Sequence, residues 1–337
     1  MPNFPQLITE RTNNPNLQIT NIQRLIGEIE DQITHRPMIV YAADITKTHP
    51  NSPNSIYPLD KTVFADLVDS VGDSENIDVL IQSPGGFADS TEQLVNILRN
   101  RFRNVHFYIP HTAKSAATMM VCSGNKIFMD HRSELGPIDP QINIPKAGGV
   151  MINVPAQAYL DGFDKVREVV DKEGKLSAAF IPVLSQVDVA TIQMCHNASE
   201  HSKQLVKNWL RDYMFQGKPD AEERANRIGD DLGDYRAYLS HGRPLGIQRA
   251  VELGLEVTNL ADLPQLQAKI WELYSRIELS YDGSPIVKLF MSKNFQVFKK
   301  IPATVELIPS PSMQRPQPQI PKVPGGQQPS KRSRHGR

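Results

Sequence analysis

Between residues 77 and 129 the chain alternates apolar runs, turns and helical stripes, and this alternation limits its fold more than any other feature. Ile77-Asp-Val-Leu-Ile81 reads as a strand and Ser83-Pro-Gly-Gly86 as a turn. Ala88–Asn100 then sets Leu94, Ile97 and Leu98 on one helical stripe. Val105–Ile109 is a second strand, Ser115–Cys122 a short helix after another turn, and Lys126–Met129 a third strand. Strands separated by helices pair in parallel, so the segment implies an α/β sheet, open or spiral.

The flanks extend this reading. Residues 1–35 form a polar leader with a helix expected around Ile22–Ile33, and Pro37–Ala43 is a buried-strand candidate. A loop rich in Pro, Asn and Ser follows at 46–58. Val63, Phe64, Leu67, Val68 and Val71 then recur at helical spacing. From Pro155 to about Leu255 the pattern is mainly helical, over Ala156–Lys172, Ala178–Leu184, Asp188–Phe215 and Pro244–Leu253. Asp188 is placed to cap the third of these. The main domain is therefore expected over 36–260, with an α+β extension at 261–308. Within the extension, the apolar and lysine-rich run 285–300 predicts a buried strand pair with its lysines outward. Peripheral membrane contact is the alternative. Residues 309–337 are Pro-, Gln-, Ser- and Gly-rich, carry no acid and end in a basic cluster, a composition expected to be disordered.

Composition sets limits on function. With 37 basic and 37 acidic residues the formal charge is zero, so no overall field points to nucleic acid or an anionic membrane. The N-terminus lacks a signal-peptide pattern, and no apolar run is long enough to span a bilayer, which makes the cytoplasm the expected address. Cys122 and Cys195, the two cysteines, read as buried thiols. The nine histidines show no metal-ligand spacing, and neither metal nor cofactor is expected.

The chemistry concentrates in the two turns. Each lies at the carboxyl end of a predicted strand and opens a helix, the edge where α/β sheets bind ligands. Gly85 and Gly86 allow close backbone approach to a substrate. Thr112-Ala-Lys-Ser-Ala-Ala-Thr118 puts the Ser115 hydroxyl at a helix start, beside unpaired amides and the positive end of the helix dipole. Two N–H groups aimed at one point make an oxyanion hole. Taken singly, a serine there is usually a helix cap and Pro-Gly-Gly usually a plain turn; together, at successive strand ends, they point to a nucleophile and its cradle.

Four stretches carry a resemblance. Ser83-Pro-Gly-Gly-Phe-Ala-Asp89, Lys114-Ser-Ala-Ala-Thr-Met119 and Ser133-Glu-Leu-Gly-Pro-Ile-Asp-Pro-Gln141 resemble the serine dehydrogenase proteinase family, as does Ser240-His-Gly-Arg-Pro-Leu-Gly246. That family is related to signal peptide peptidase A, NfeD-type membrane peptidases and Clp protease. The resemblance implies a Clp/crotonase-like spiral of repeated ββα units, a homo-oligomer and a peptide or protein substrate. It also implies a serine endopeptidase in which Ser115 attacks the carbonyl while the amides of Gly85 or Gly86 and of Ala116 hold the oxyanion.

The base is open. Leu135-Gly-Pro-Ile-Asp139, where Clp protease has its histidine, has none, and His131 comes several residues early. Tyr159-Leu-Asp-Gly-Phe-Asp-Lys165 resembles the helix that carries a lysine base in the membrane-peptidase relatives, which makes Lys165 the candidate of a Ser–Lys dyad. Such a lysine must be neutral near pH 7, which calls for burial. Asp161 and Asp164 fit a surface ion pair instead. Lys114, next to Ser115, is a further candidate. Two other functions remain: a catalytically silent Clp-fold scaffold or peptide-binding subunit, and a crotonase-type acyl-CoA enzyme.

Overall fold

The computed structural model describes residues 4–13, 17–49, 53–145, 151–175, 177–184 and 187–302. The tail expected from 309 lies outside them. Helices α1 (Phe4–Asn13) and α2 (Leu17–Ile29) precede β1 (Met38–Ala43), α3 (Asp60–Asp69), β2 (Asn76–Gln82), α4 (Ala88–Arg101) and β3 (Asn104–Tyr108). The short β4 (Thr112–Ala113) runs into α5 (Ala116–Cys122), then β5 (Lys126–Met129), β6 (Glu134–Leu135) and a hairpin, β7 (Gln141–Pro145) with β8 (Met151–Pro155). The helical part holds α6 (Ala156–Glu173), α7 (Ile181–Leu184), α8 (Val189–Trp209), α9 (Ala221–Leu232), α10 (Tyr235–Tyr238) and α11 (Ile247–Leu253). Strand β9 (Val257–Asn259), α12 (Pro264–Tyr281), β10 (Ile286–Met291) and β11 (Gln296–Lys300) follow. Asp188 caps α8 as expected, accepting from the N–H groups of Ala190 and Thr191.

The central sheet has seven strands in the order β11-β10-β1-β2-β3-β5-β9. Neighbours from β1 to β9 run parallel, whereas β10 pairs antiparallel with both β1 and β11. A second, minor sheet reveals the spiral. After β2, Ser83 forms a parallel bridge to Ala113 of β4, and β4 pairs in parallel with β6. Each turn of the chain thus gives a long strand to the main sheet and a short one to the minor sheet before its helix begins. This is the ββα repeat of a Clp/crotonase-like fold, and it puts the starts of α4 and α5 side by side.

Strands covered on both faces are apolar almost throughout. On β1, Ile39 and Tyr41 join the core beneath α3, α4 and α5, while Met38, Val40 and Ala42 face α2 and α12. Alternation sends Asp78 and Gln82 of β2 into the interior, both with no exposure.

Two segments expected to be peripheral are built into this body. In the leader, Ile22, Leu25, Ile26 and Ile29 are fully buried at i, i+3, i+4 and i+7. They pack with Leu266, Ile270, Leu273 and Ile277 of α12, each such side chain contributing roughly 1.5–3 kcal/mol. The 261–308 segment supplies α12 and the sheet edge β10–β11. It is a strand pair, as the pattern predicted, but its lysines do not all face solvent. Lys288 is fully buried, donating to Asp60 at 2.7 Å and to the Ser55 carbonyl at 2.6 Å. Burial lowers its pKa to about 8 despite the Asp60 charge. Alternation decides the matter: Lys288 points to the same side as Phe290, where Asp60 also meets Lys299 at 2.5 Å and the Tyr41 hydroxyl at 2.8 Å.

Candidate active site

The two turns are stitched together by the minor sheet. Ser83 N–H donates to Thr112 O at 3.0 Å, and Lys114 N–H donates back to Ser83 O at 3.1 Å. A Cβ on Gly85 would stand 2.7 Å from that of Ser115 and 2.6 Å from the Lys114 carbonyl, so only glycine permits this approach. Gly85 also has φ +105°. On its other side the turn pairs with the 53–58 loop, Ile56 N–H donating to Gly85 O at 2.7 Å and Phe87 N–H to Ile56 O at 3.0 Å.

Ser115 sits between β4 and α5 with φ 52° and ψ −123°. Positive φ is costly for a residue with a Cβ, and such strain concentrates at functional sites. Its hydroxyl makes no capping bond, which removes the helix-cap explanation. Behind it, all seven residues of α5 are buried, so the elbow rests on a helix packed into the core.

The three amides expected to form an oxyanion cradle are not equivalent. Gly85 N–H is already committed to Ser83 Oγ at 3.1 Å. The N–H groups of Gly86 and Ala116 have no acceptor among the described residues. Gly85 therefore contributes space, and the free donors belong to its neighbours.

A histidine not singled out by the sequence completes the site. His241 lies in the loop between α10 and α11, with its Nδ1 at 2.9 Å from Asp139 Oδ1. Asp139 is 1 % exposed and also accepts from Gln141 Nε2 at 3.0 Å. A carboxylate accepting from Nδ1–H leaves Nε2 as the proton acceptor. The loop is anchored by two mutual bonds of 3.0 Å between Leu135 and Leu245. Lys114 adds a brace, its Nζ donating to Gly242 O at 3.1 Å and pairing with Glu134 at 3.0 Å. The residue before Ser115 thus holds the residue after His241. Ser115, His241, Gly85, Gly86 and Ala116 all line one cavity of about 660 Å³.

Other candidates are placed elsewhere. Lys165 is exposed on α6 and is not among the residues lining this cavity. His131 is exposed and borders a different cavity, with Ile247 and Val251. Lys114 is engaged in its brace. A second pair, His201 Nε2 and Asp89 Oδ1 at 3.2 Å, also lines the Ser115 cavity.

Residues 64–293 match the sequence profile of a family described as ClpP-like SDH-type serine proteinases. The chain belongs to that family. The matched span of this SDH-type proteinase contains both turns, Ser115, Asp139 and His241, while α2 and β1 precede it. Two uncharacterized proteins of Methanocaldococcus jannaschii are 27 % identical over 198 residues and 26 % identical over 200. Each alignment covers 59 % of this chain, and the chain spans only 56 % and 59 % of those relatives' lengths. Among solved structures, it is similar to a variant of the 1510-N membrane-bound stomatin-specific protease in complex with a substrate peptide. That similarity is 15 % in identity with a TM-score of 0.38, covering 64 % of this chain and 75 % of the other. A second variant of that protease, at 14 % identity and TM-score 0.37, covers 64 % and 79 %. No helix among the described residues is long and apolar enough to cross a membrane.

Proposed function

We propose that this chain is a serine endopeptidase in which Ser115, His241 and Asp139 act together. The observation that carries the reading is the pair of the buried Asp139 with His241, whose imidazole borders the same cavity as a strained, uncapped Ser115. His241 Nε2 takes the Ser115 hydroxyl proton as Oγ attacks the scissile carbonyl carbon. The resulting oxyanion accepts from Gly86 and Ala116 N–H, each donor lowering the barrier by roughly 3 kcal/mol. The C–N bond then breaks, and the leaving amine takes the proton from His241. Water, deprotonated by the same histidine, releases the acyl group and regenerates Ser115. Asp139 holds the ring in one tautomer and stabilises its charged form.

Lys165 is the competing base. For it to serve, α6 or a second copy of the chain has to bring its neutral amine to Ser115. The peptide substrate and the homo-oligomer belong to the same proposal.

A fluorophosphonate probe tests the core of it. The wild type should be labelled on Ser115, Ser115→Ala should not be labelled, and His241→Ala should label far more slowly at unchanged fold by circular dichroism. A folded wild type that resists the probe would sink the enzymatic reading.

A further inference from the structure

The walls of the Ser115 cavity are one-sided in charge. Among the described residues lining it there is no lysine or arginine, and Asp89 is its one carboxylate. Asp89 follows the glycine turn by three residues, on the first turn of α4, and its side chain is 85 % exposed. His201 engages Oδ1, whereas Oδ2 has no partner among the described residues.

Two residues earlier, Phe87 is 56 % exposed. A large aromatic group left open beside a reactive serine needs an account. Its backbone is held by the bond to Ile56, and its ring stands edge-on to Tyr57 with centroids 5.7 Å apart. The ring is therefore fixed in place rather than free to fold back onto the core. The same cavity is lined by Gln141, Asn143 and Asn153, neutral amides that add no competing charge.

An open aromatic ring and a half-used carboxylate lining one cavity suit a long cationic side chain. Its methylenes and charged head lie on the ring while the carboxylate takes its hydrogen bonds, and a planar guanidinium does both better than an ammonium. Resting on the peptidase reading above, we infer that Phe87 and Asp89 select substrates with a lysine or arginine close to the scissile bond, arginine above lysine. An acidic side chain at that place meets a like charge.

The test uses the full chain and a defined peptide library, with cleavage sites read by mass spectrometry. Lysine and arginine should be enriched within two residues of the cut bond, and aspartate and glutamate depleted. Asp89→Asn should lower the ratio of kcat/KM for an Arg peptide over its Gln counterpart about fivefold, the scale of a partly exposed charge contact. Asp89→Lys should shift the preference toward Glu. Cleavage without basic enrichment, or a preference that survives Asp89→Lys, overturns the inference and leaves the peptidase reading intact.

A binding arm separates the two claims. Ser115→Ala, or Ser115→Gly, which accepts positive φ, is titrated calorimetrically with Arg- and Glu-containing versions of one peptide. Tighter binding of the Arg version by a chain whose wild type resists fluorophosphonate would overturn the peptidase reading and keep the charge selection. Equal binding of both peptides overturns the selection.

Discussion

Two histidine–aspartate pairs reach the same cavity through their histidines, yet they differ in burial and bracing. In the first, Asp139 is buried, is held from a second side by Gln141, and sits on a segment tied to α5 through Gly136 N–H and Thr118 Oγ1 at 3.0 Å. Its partner His241 belongs to a loop anchored at Leu135 and Lys114. In the second, His201 and Asp89 project from α8 and α4 with side chains 42 % and 85 % exposed, and neither has another partner among the described residues. Water screens such a pair. The residue types are identical; burial and bracing give one pair a single geometry and leave the other adaptable. Proton transfer needs the first property, and recognition of a mobile substrate side chain tolerates the second.

Substitutions at three of these four positions test that contrast. His241→Ala should lower kcat/KM by roughly 10⁴–10⁶-fold, as loss of the proton acceptor does where a triad acts as a unit. Asp139→Asn should cost about 10⁴-fold by stabilising the wrong tautomer, without unfolding the chain. His201→Ala should cost less than about tenfold. If the ranking of the two histidines reverses in a peptidase assay, burial and bracing are not what distinguishes the pairs. Lys165→Ala sharpens the same point. An exposed lysine outside the cavity should leave activity within about twofold, whereas a loss on the scale of His241→Ala would make Lys165 the base.

The sequence exposed the local half of this site. Strand, turn and helix order between 77 and 129, the glycine pair and Ser115 at an elbow were all legible, because each depends on neighbours a few residues apart. His241 was not. Its contact with Asp139 spans 102 residues and depends on Leu245 pairing with Leu135, a tertiary bond no periodicity announces. The motif containing His241 was visible as a motif, but nothing in its local sequence marks the histidine as a base. Three other features were hidden for physical reasons of their own. The leader's average polarity masked the Ile22–Ile29 stripe. Lys288 looked exposed because its partner Asp60 lies 228 residues away. Which glycine amide stays free depends on the Ser83 hydroxyl, a bond that composition does not show.

A third pair, on the far face of the sheet, extends the contrast from catalysis to stability. His106 Nδ1 lies 3.6 Å from Asp78 Oδ1, with Arg36 bonded to the same carboxylate at 2.6 Å. Burial raises the Asp78 pKa to about 6 against the pull of Arg36, and burial, aided by Arg36, lowers that of His106 to about 4. Asp78 therefore favours the folded state below its unfolded pKa near 3.8, and that contribution is lost as pH rises through about 6. His106 does the reverse. Its contribution is full above 6.5 and is lost as pH falls through about 4. Between pH 4 and 6 the two slopes oppose, so the wild type should show little net change from this pair. His106→Gln removes the rising slope and leaves the falling one. Urea unfolding of that variant should show stability decreasing from pH 4.5 to 6.5, relative to wild type, by on the order of 1 kcal/mol. A parallel pH dependence of the two proteins would mean that the buried pair does not titrate in opposition. Activity at any one pH should be nearly the same in both, because nothing joins this pair to the Ser115 cavity except the sheet between them.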